Sequence, residues 1–300
     1  MASAGADHIS KSPPAAARFS YATPDLPAWK RALIHTVERL GGQRRLKRLY
    51  HQVRAGSACG DGSFFEAAIA ALGVDMAVDD AALARIPKTG PVLFIANHPY
   101  GVLDGLALTA LSLRRRPDVR VMANSALCRI PEAERYLLPI DFAGTEAARQ
   151  SMLQSRRAAR DWLSRGGAVG LFPGGGVATS ARAWRGRAEE LPWHPFTVKL
   201  IQTAGATVVP IHFAGQNSRL FHLASHMSQT LRLSLLFRET YRRMDTALDV
   251  SIGEPIPWDR LPAFANRADL LAHLRQVTDR LGEAPATASD GPIPPPLRRR

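Results

Sequence analysis

The residues with the most chemical capacity lie in one short stretch, Asn97-His98-Pro99-Tyr100-Gly101-Val102-Leu103-Asp104-Gly105, directly after the apolar run 91–96. That order predicts a buried strand that delivers His98 to a loop, and a helix whose first turn returns Asp104. Histidine titrates near neutrality, so it can take a proton and later give it back. A neighbouring carboxylate would fix its tautomer and stabilise the imidazolium. No protein nucleophile accompanies the pair: there is no G-x-S-x-G elbow, and neither Cys59 nor Cys128 adjoins the histidine. The pair therefore suits activation of a hydroxyl belonging to a substrate. The plainer alternative is that His98 ties down a loop and Asp104 caps a helix.

A second apolar run, 168–172, ends in Phe172 and opens into Pro173-Gly174-Gly175-Gly176. Successive glycines let backbone N–H groups converge on a phosphate or a developing oxyanion. Arg182, Arg185 and Arg187 follow, and arginine can clamp such oxygens in a bidentate way. Arg182 and Arg185 are candidates for that stabilisation or for a head-group phosphate; a merely flexible turn is the alternative. The turn is neither a P-loop nor G-x-G-x-x-G, which disfavours ATP and NAD. A third run, 207–213, contains Pro210, which predicts an edge strand or a bulge. Asn217, Ser218 and Arg219 would stand at its exit, where polar groups could meet a head group. His222 and His226 have the i, i+4 spacing of zinc ligands, but without a third ligand or H-E-x-x-H no metal is assigned.

The elements that must position these groups follow an α/β rhythm. Apolar runs at 92–96, 119–123, 137–142, 168–172, 207–213 and 248–252 read as buried strands, with helical patterns at 103–113, 145–165, 195–203 and 266–281. Strands alternating with helices predict an α/β fold with a largely parallel sheet flanked by helices, and ligands beyond the carboxyl ends of its strands. Two amphipathic patterns precede it. Trp29, Leu33, Val37 and Leu40 form one stripe and, after Gly41-Gly42, Leu46, Leu49, Tyr50 and Val53 form another beside Arg44, Arg45, Lys47, Arg48 and Arg54. Such a basic helical pair either packs its stripe on the core or lies in an anionic lipid interface. Residues 1–24 and 283–300 read as disordered tails around a single domain, 25–282, of which 25–56 is the basic helical pair.

Length and composition bound the function. Three hundred residues, 46% hydrophobic, can bury a core without disulfides, and two distant cysteines argue against a disulfide scaffold or a zinc ribbon. A formal net charge of +13 predicts an anionic partner: a membrane surface, nucleic acid or phosphorylated substrates. No stretch reaches the ~18 apolar residues of a spanning helix, and the start has no signal-peptide pattern, so the expected place is the cytoplasm. Without a zinc finger or RNP-type strand, a nucleic-acid role would rest on charge alone.

Taken together, these segments resemble the glycerolipid and lysophospholipid acyltransferases, the PlsC-like family, over roughly 92–252. Asn97-His98 through Asp104 is similar to the family's first block, Phe172-Pro173-Gly174-Gly175-Gly176 to its F-P-E-G block, and Val208-Val209-Pro210 to its later proline block. Five residues separate His98 from Asp104 where the common spacing is four. N-H-P-x-G-x-x-D-G and the stretch from Gly215 are similar to a branch that includes hemolysin-like and ornithine-lipid-type enzymes. Gly174 stands where the F-P-E-G glutamate would be, and the family's second block is matched only near Asp141 to Arg149.

The resemblance implies a glycerol-3-phosphate acyltransferase-like fold and acyl transfer from acyl-CoA or acyl carrier protein to a lysolipid hydroxyl. The acceptor would be 1-acylglycerol-3-phosphate, a related lysophospholipid, or a lyso-aminolipid such as lyso-ornithine lipid. It implies His98 as general base, Asp104 as its orienting partner, and substrate contacts from Asn97, Phe172, Pro173, Gly174, Gly175, Gly176, Arg182, Arg185, Pro210, Asn217 and Arg219. No cofactor is implied beyond the acyl donor as co-substrate, and the enzyme would sit peripherally on the anionic inner face of the cell membrane. A non-catalytic basic lipid- or nucleic-acid-binding protein is the alternative of another class.

Overall fold

The alternation of strand and helix is realised in a computed structural model, which describes residues 20, 22, 27–56, 63–125, 130–141, 145–261 and 266–283. The expected tails, apart from residues 20, 22 and 283, and both cysteines lie outside the described residues.

Among those residues a seven-stranded sheet has the order β1-β9-β8-β2-β5-β3-β4. Its strands are β1 (Asp75–Ala77), β2 (Val92–Ala96), β3 (Arg120–Asn124), β4 (Leu137–Ile140), β5 (Ala168–Leu171), β8 (Thr207–Phe213) and β9 (Ala247–Ile252). Every neighbouring pair is parallel except β8 and β9. A separate antiparallel hairpin, β6 (Thr179–Arg182) and β7 (Arg185–Glu189), was not evident from periodicity, because its residues are mostly charged or small.

Strand β2 shows why the apolar runs are continuous rather than alternating. Val92, Phe94 and Ala96 enter one core with Leu103, Ala107 and Leu111 of α5 (Val102–Leu113). Leu93 and Ile95 enter a second core with Leu163 of α7 (Glu146–Ser164), Val198 of α8 (Phe196–Ala204) and Leu274 of α11 (Arg267–Arg280). With helices on both faces, no position of a central strand can be polar without an unpaired group.

Two expectations need correction. Pro210 is not on an edge: β8 pairs with β2 on one side and β9 on the other. The expected irregularity is present, since the pairing slips by one residue between Ile211↔Ile252 and Val208↔Ile256, which flank Pro210. The helical pair also divides. In α2 (Gln43–Gly56) the stripe of Leu46, Tyr50 and Val53 is buried against α3 (Ser63–Ala71). In α1 (Ala28–Leu40) Ile34 and Glu38 turn inward instead, leaving Trp29 64% and Leu40 85% exposed. The remaining helices are α4 (Asp80–Arg85), α6 (Pro131–Glu134), α9 (Arg219–Met227) and α10 (Gln229–Arg242). No helix among the described residues is long and apolar enough to cross a membrane.

Candidate functional site

The carboxyl end of β2 supplies the centre of the site. Asn97 is buried, and its side chain clasps the end of β8: Nδ2 donates to Phe213 O at 2.9 Å and Oδ1 accepts from Phe213 N at 2.7 Å. The amide is therefore spent on joining two strand ends. His98 follows, with its backbone held from both sides. Its carbonyl accepts from Ala178 N at 2.8 Å, and its N–H donates to Glu190 Oε1 at 2.9 Å.

The loop then turns through Gly101, at φ +92°, into α5. A side chain here would be strained, and its Cβ would lie 2.8 Å from Leu236 Cδ2. The turn brings back Asp104, whose Oδ2 accepts from Tyr100 N at 2.7 Å and Gly101 N at 2.8 Å. The same oxygen lies 3.0 Å from His98 Nδ1. One oxygen thus makes both the helix-capping contacts and the contact to His98. Asp104 Oδ2 already accepts from two backbone N–H groups, so an N–H on His98 Nδ1 completes the contact as a third donor. Nε2 is left with its lone pair. Asp104 is fully buried, while the His98 side chain keeps 16% exposure, so the pair retains a solvent-accessible side at the imidazole.

Phe172 covers one face of the imidazole, with ring centroids 3.9 Å apart and planes at 20°. Beyond it the chain turns at Pro173 to Gly176. Gly175 N closes the turn on Phe172 O at 2.9 Å, and Pro173 O accepts from His194 N at 2.9 Å. No hydrogen bond within the described residues uses the amides of Gly174 or Gly176. A Cβ at Gly174 would lie 3.8 Å from the Cβ of Glu190. The carboxylate absent from the turn thus has a neighbour in Glu190, which comes from the strand β7 side and also accepts from Trp193 Nε1 at 2.8 Å. Burial pushes the Glu190 carboxyl above its ordinary value, against the Trp193 bond and the nearby His98. Nothing in the spacing links Glu190 to His98, 92 residues earlier, so sequence reasoning passed it by.

Other expected residues are placed more loosely. Asn217 is buried and donates to Tyr100 O at 3.4 Å. Pro210 lies buried inside β8, its ring against Gly253. Arg182 and Arg185 are exposed on the β6–β7 hairpin, and Arg219 is exposed while donating to Gly186 O at 2.7 Å. The arginine the fold carries to the glycine turn is Arg232 of α10, which donates to Val177 O. Arg149, near the loosely matched second block, is exposed and paired with Glu146 at 2.6 Å; residues 142–144 of that block lie outside the described residues. His222 and His226 both turn to Ser180: His222 Nδ1 accepts from its N–H at 3.4 Å, and His226 Nε2 donates to its carbonyl at 2.9 Å. Among the described residues no group of three or more His, Cys, Asp or Glu is placed to hold a metal ion.

Known proteins bear on this arrangement in three ways. The chain is 27% identical over 218 residues to a lyso-glycine lipid O-acyltransferase of Bacteroides thetaiotaomicron, covering 69% of this chain and 76% of that protein. A lyso-glycine lipid O-acyltransferase of Phocaeicola vulgatus is 26% identical over 216 residues, covering 69% and 74%. The crystal structure of PlsC, the 1-acyl-sn-glycerophosphate acyltransferase of Thermotoga maritima, matches with a TM-score of 0.50 at 17% identity over 87% of this chain and 90% of that one, which shows a shared fold. A family model described as acyltransferase matches residues 49–279, and with the strand-borne His98 and its buried Asp104 inside that span, this chain belongs to the acyltransferase family.

Proposed function

We propose that this enzyme moves an acyl group from a thioester donor, acyl-CoA or acyl carrier protein, to a hydroxyl of a lysolipid. The observation that carries the reading is the His98–Asp104 pair, with Nδ1 fixed on a buried carboxylate and Nε2 open. His98 Nε2 takes the proton of the acceptor hydroxyl as its oxygen attacks the thioester carbonyl. The tetrahedral intermediate then expels the thiolate, breaking the C–S bond, and the imidazolium returns the proton to the sulfur. General-base catalysis supplies typically ~10²–10⁴-fold, and the remainder comes from positioning and from donors facing the oxyanion.

For the acceptor, the names of the two bacterial relatives favour an aminolipid of the lyso-glycine class over 1-acylglycerol-3-phosphate. Purified enzyme with a labelled acyl donor and a panel of both acceptor types tests this. Ester formation on the aminolipid alone is the expected result, and label only on the lysophosphatidic acid would reverse the choice.

We place the enzyme peripherally on the cytoplasmic face of an anionic membrane. The net charge of +13 supports this, as do the outward Trp29, Leu33 and Leu40 of α1. The β6–β7 hairpin adds Trp184, 68% exposed, among the exposed Arg182, Arg185 and Arg187. An indole beside arginines suits the headgroup region, where an apolar body meets polar surroundings.

A further inference from the structure

Arg232 is a cation with no visible reason to be where it is. It stands in the first turn of α10, where a positive charge opposes the helix dipole. One of its N–H groups donates to Val177 O, and its guanidinium lies 5.8 Å from the centroid of the Phe221 ring. No other hydrogen bond and no carboxylate partner of this side chain exists among the described residues. Burial pushes its pKa down, with no anion acting in the other direction. Half-burying a guanidinium without a counter-charge has a cost, so a purely structural role would be better served by a neutral side chain.

Its location gives the cost a purpose. Val177, whose carbonyl takes the Arg232 bond, directly follows the glycine turn and precedes Ala178, which is bonded to the His98 carbonyl. A Cβ at Gly176 would come 3.7 Å from Arg232 Nη2 and 3.0 Å from Leu191 Cδ1, so the glycine lets the guanidinium and the Leu191 side chain approach the turn closely. The unspent amides of Gly174 and Gly176 lie on the same turn. Cation and donors together match the oxygens of a carboxylate or phosphate.

We infer that Arg232, together with the amides of Gly174 and Gly176, forms the receptor for an anionic group of a substrate beside His98. The inference rests on the proposed lysolipid acylation and names the group that orients the reactants. The anion comes either from the acceptor head group or from the phosphates of the donor. Arg232 is a binding residue in this assignment, so its removal acts on KM more than on kcat.

The experiment compares wild type, Arg232→Gln and Arg232→Lys with a carboxylate-bearing lyso-aminolipid and its methyl ester, each with acyl-CoA and with acyl-pantetheine. A hydrogen-bonded charge pair carries roughly 10–10²-fold in affinity. Arg232→Gln should raise KM by that factor for the anionic substrate, with kcat within a few-fold, and should no longer distinguish the substrate from its neutral analogue. Arg232→Lys should recover part of the discrimination, as a point charge without the fork. Loss of discrimination on the acceptor axis places the anion on the acceptor, and loss on the donor axis places it on the donor. Titration of the lyso-aminolipid without donor gives a readout independent of turnover, and there Arg232→Gln should bind more weakly. Thermal unfolding of the free variant should match or exceed wild type, because a half-buried charge without a counter-ion is gone. A Gln variant that unfolds earlier yet keeps full discrimination would overturn the inference in favour of a structural role, and so would a loss confined to kcat. If wild type acylates no lysolipid at all, the proposed function fails, while the anion titration still decides the receptor.

Discussion

The loop that carries His98 and the β6–β7 hairpin meet at a single residue and are built on opposite terms. Both roots of the hairpin bond to the His98 backbone, Ala178 to its carbonyl and Glu190 to its N–H. On the loop side the key polar atoms are spent inward: Asp104 Oδ2 serves three donors in full burial, and Asn97 is consumed by Phe213. On the hairpin side Arg182, Trp184, Arg185 and Arg187 face solvent, and no salt bridge among the described residues engages those arginines. Proton transfer needs one geometry held away from water, whereas attraction to a charged surface needs reach and mobility. The two demands are met in adjacent segments, so each should be breakable without the other.

The sharpest break is His98→Ala. Transfer should fall by about 10²–10⁴-fold, while vesicle binding and the thermal midpoint stay near wild type. A variant that still turns over at the parent rate would remove the histidine from the mechanism. Asp104→Asn is subtler. Its amide oxygen can still accept from His98, Tyr100 and Gly101, so the loop should fold, but the charge that stabilises the imidazolium is gone. An activity loss of roughly 10–10²-fold follows from losing a charged hydrogen-bond partner. An equal or larger loss than for His98→Ala would mean that the loop itself had moved.

Gly101→Ala attacks the loop from its backbone. At φ +92° the new Cβ is strained and crowds Leu236 Cδ2 at 2.8 Å and Val177 Cγ2 at 3.1 Å. Such strain costs about 1–3 kcal/mol, so chemical denaturation should show a loss of that size along with reduced transfer. Unchanged stability and activity would show that the sharp entry to α5 is not what holds Asp104 against the imidazole.

Which of these features could be read in advance follows from how far apart their parts lie in the chain. The His98–Asp104 pair was legible because strand, loop and first helical turn are consecutive, so local periodicity fixes the geometry. The six runs became strands within a residue or two: β2 and β5 because burial on both faces leaves an unbroken apolar signature, and β9 because its buried Leu248, Val250 and Ile252 alternate with more exposed positions. Glu190 and Arg232 were illegible: each reaches the site through tertiary packing that no spacing encodes. Arg182 and Arg185 show the converse. They are close in sequence to the glycine turn, and the hairpin exposes them to solvent. The α1 stripe was ambiguous for a similar reason, because periodicity finds an apolar face without saying what covers it.

A smaller effect sharpens the hairpin side. Trp184→Ala should lower partition onto vesicles rich in anionic lipid by about fivefold, since only part of an indole's burial energy is available at an interface. Its transfer rate on a short-chain acceptor dissolved as monomers should remain that of wild type. Arg185→Gln with Arg187→Gln should weaken the same partition, by about fivefold per charge. If Trp184→Ala binds vesicles normally but raises KM for acyl carrier protein, the hairpin serves the donor instead of the membrane.

The smallest expected effect tests the seam where the two regions join. Burial raises the Glu190 carboxyl above its usual pKa, so the folded protein holds that proton more readily than the unfolded chain does. The stability this confers is fully present below the ordinary carboxylate range and is lost as pH rises through the raised folded value. Above that window it stays flat. Glu190→Gln cannot titrate, and its single carbonyl oxygen can serve only one of the two donors, His98 N–H and Trp193 Nε1–H. Urea midpoints of both proteins from about pH 4 to 8 should therefore diverge in slope only where the wild-type carboxyl ionises, and run parallel above it. Parallel curves throughout would show that the carboxyl ionises equally in the folded and unfolded chains, and the hairpin root would then be held without a proton-binding group behind His98.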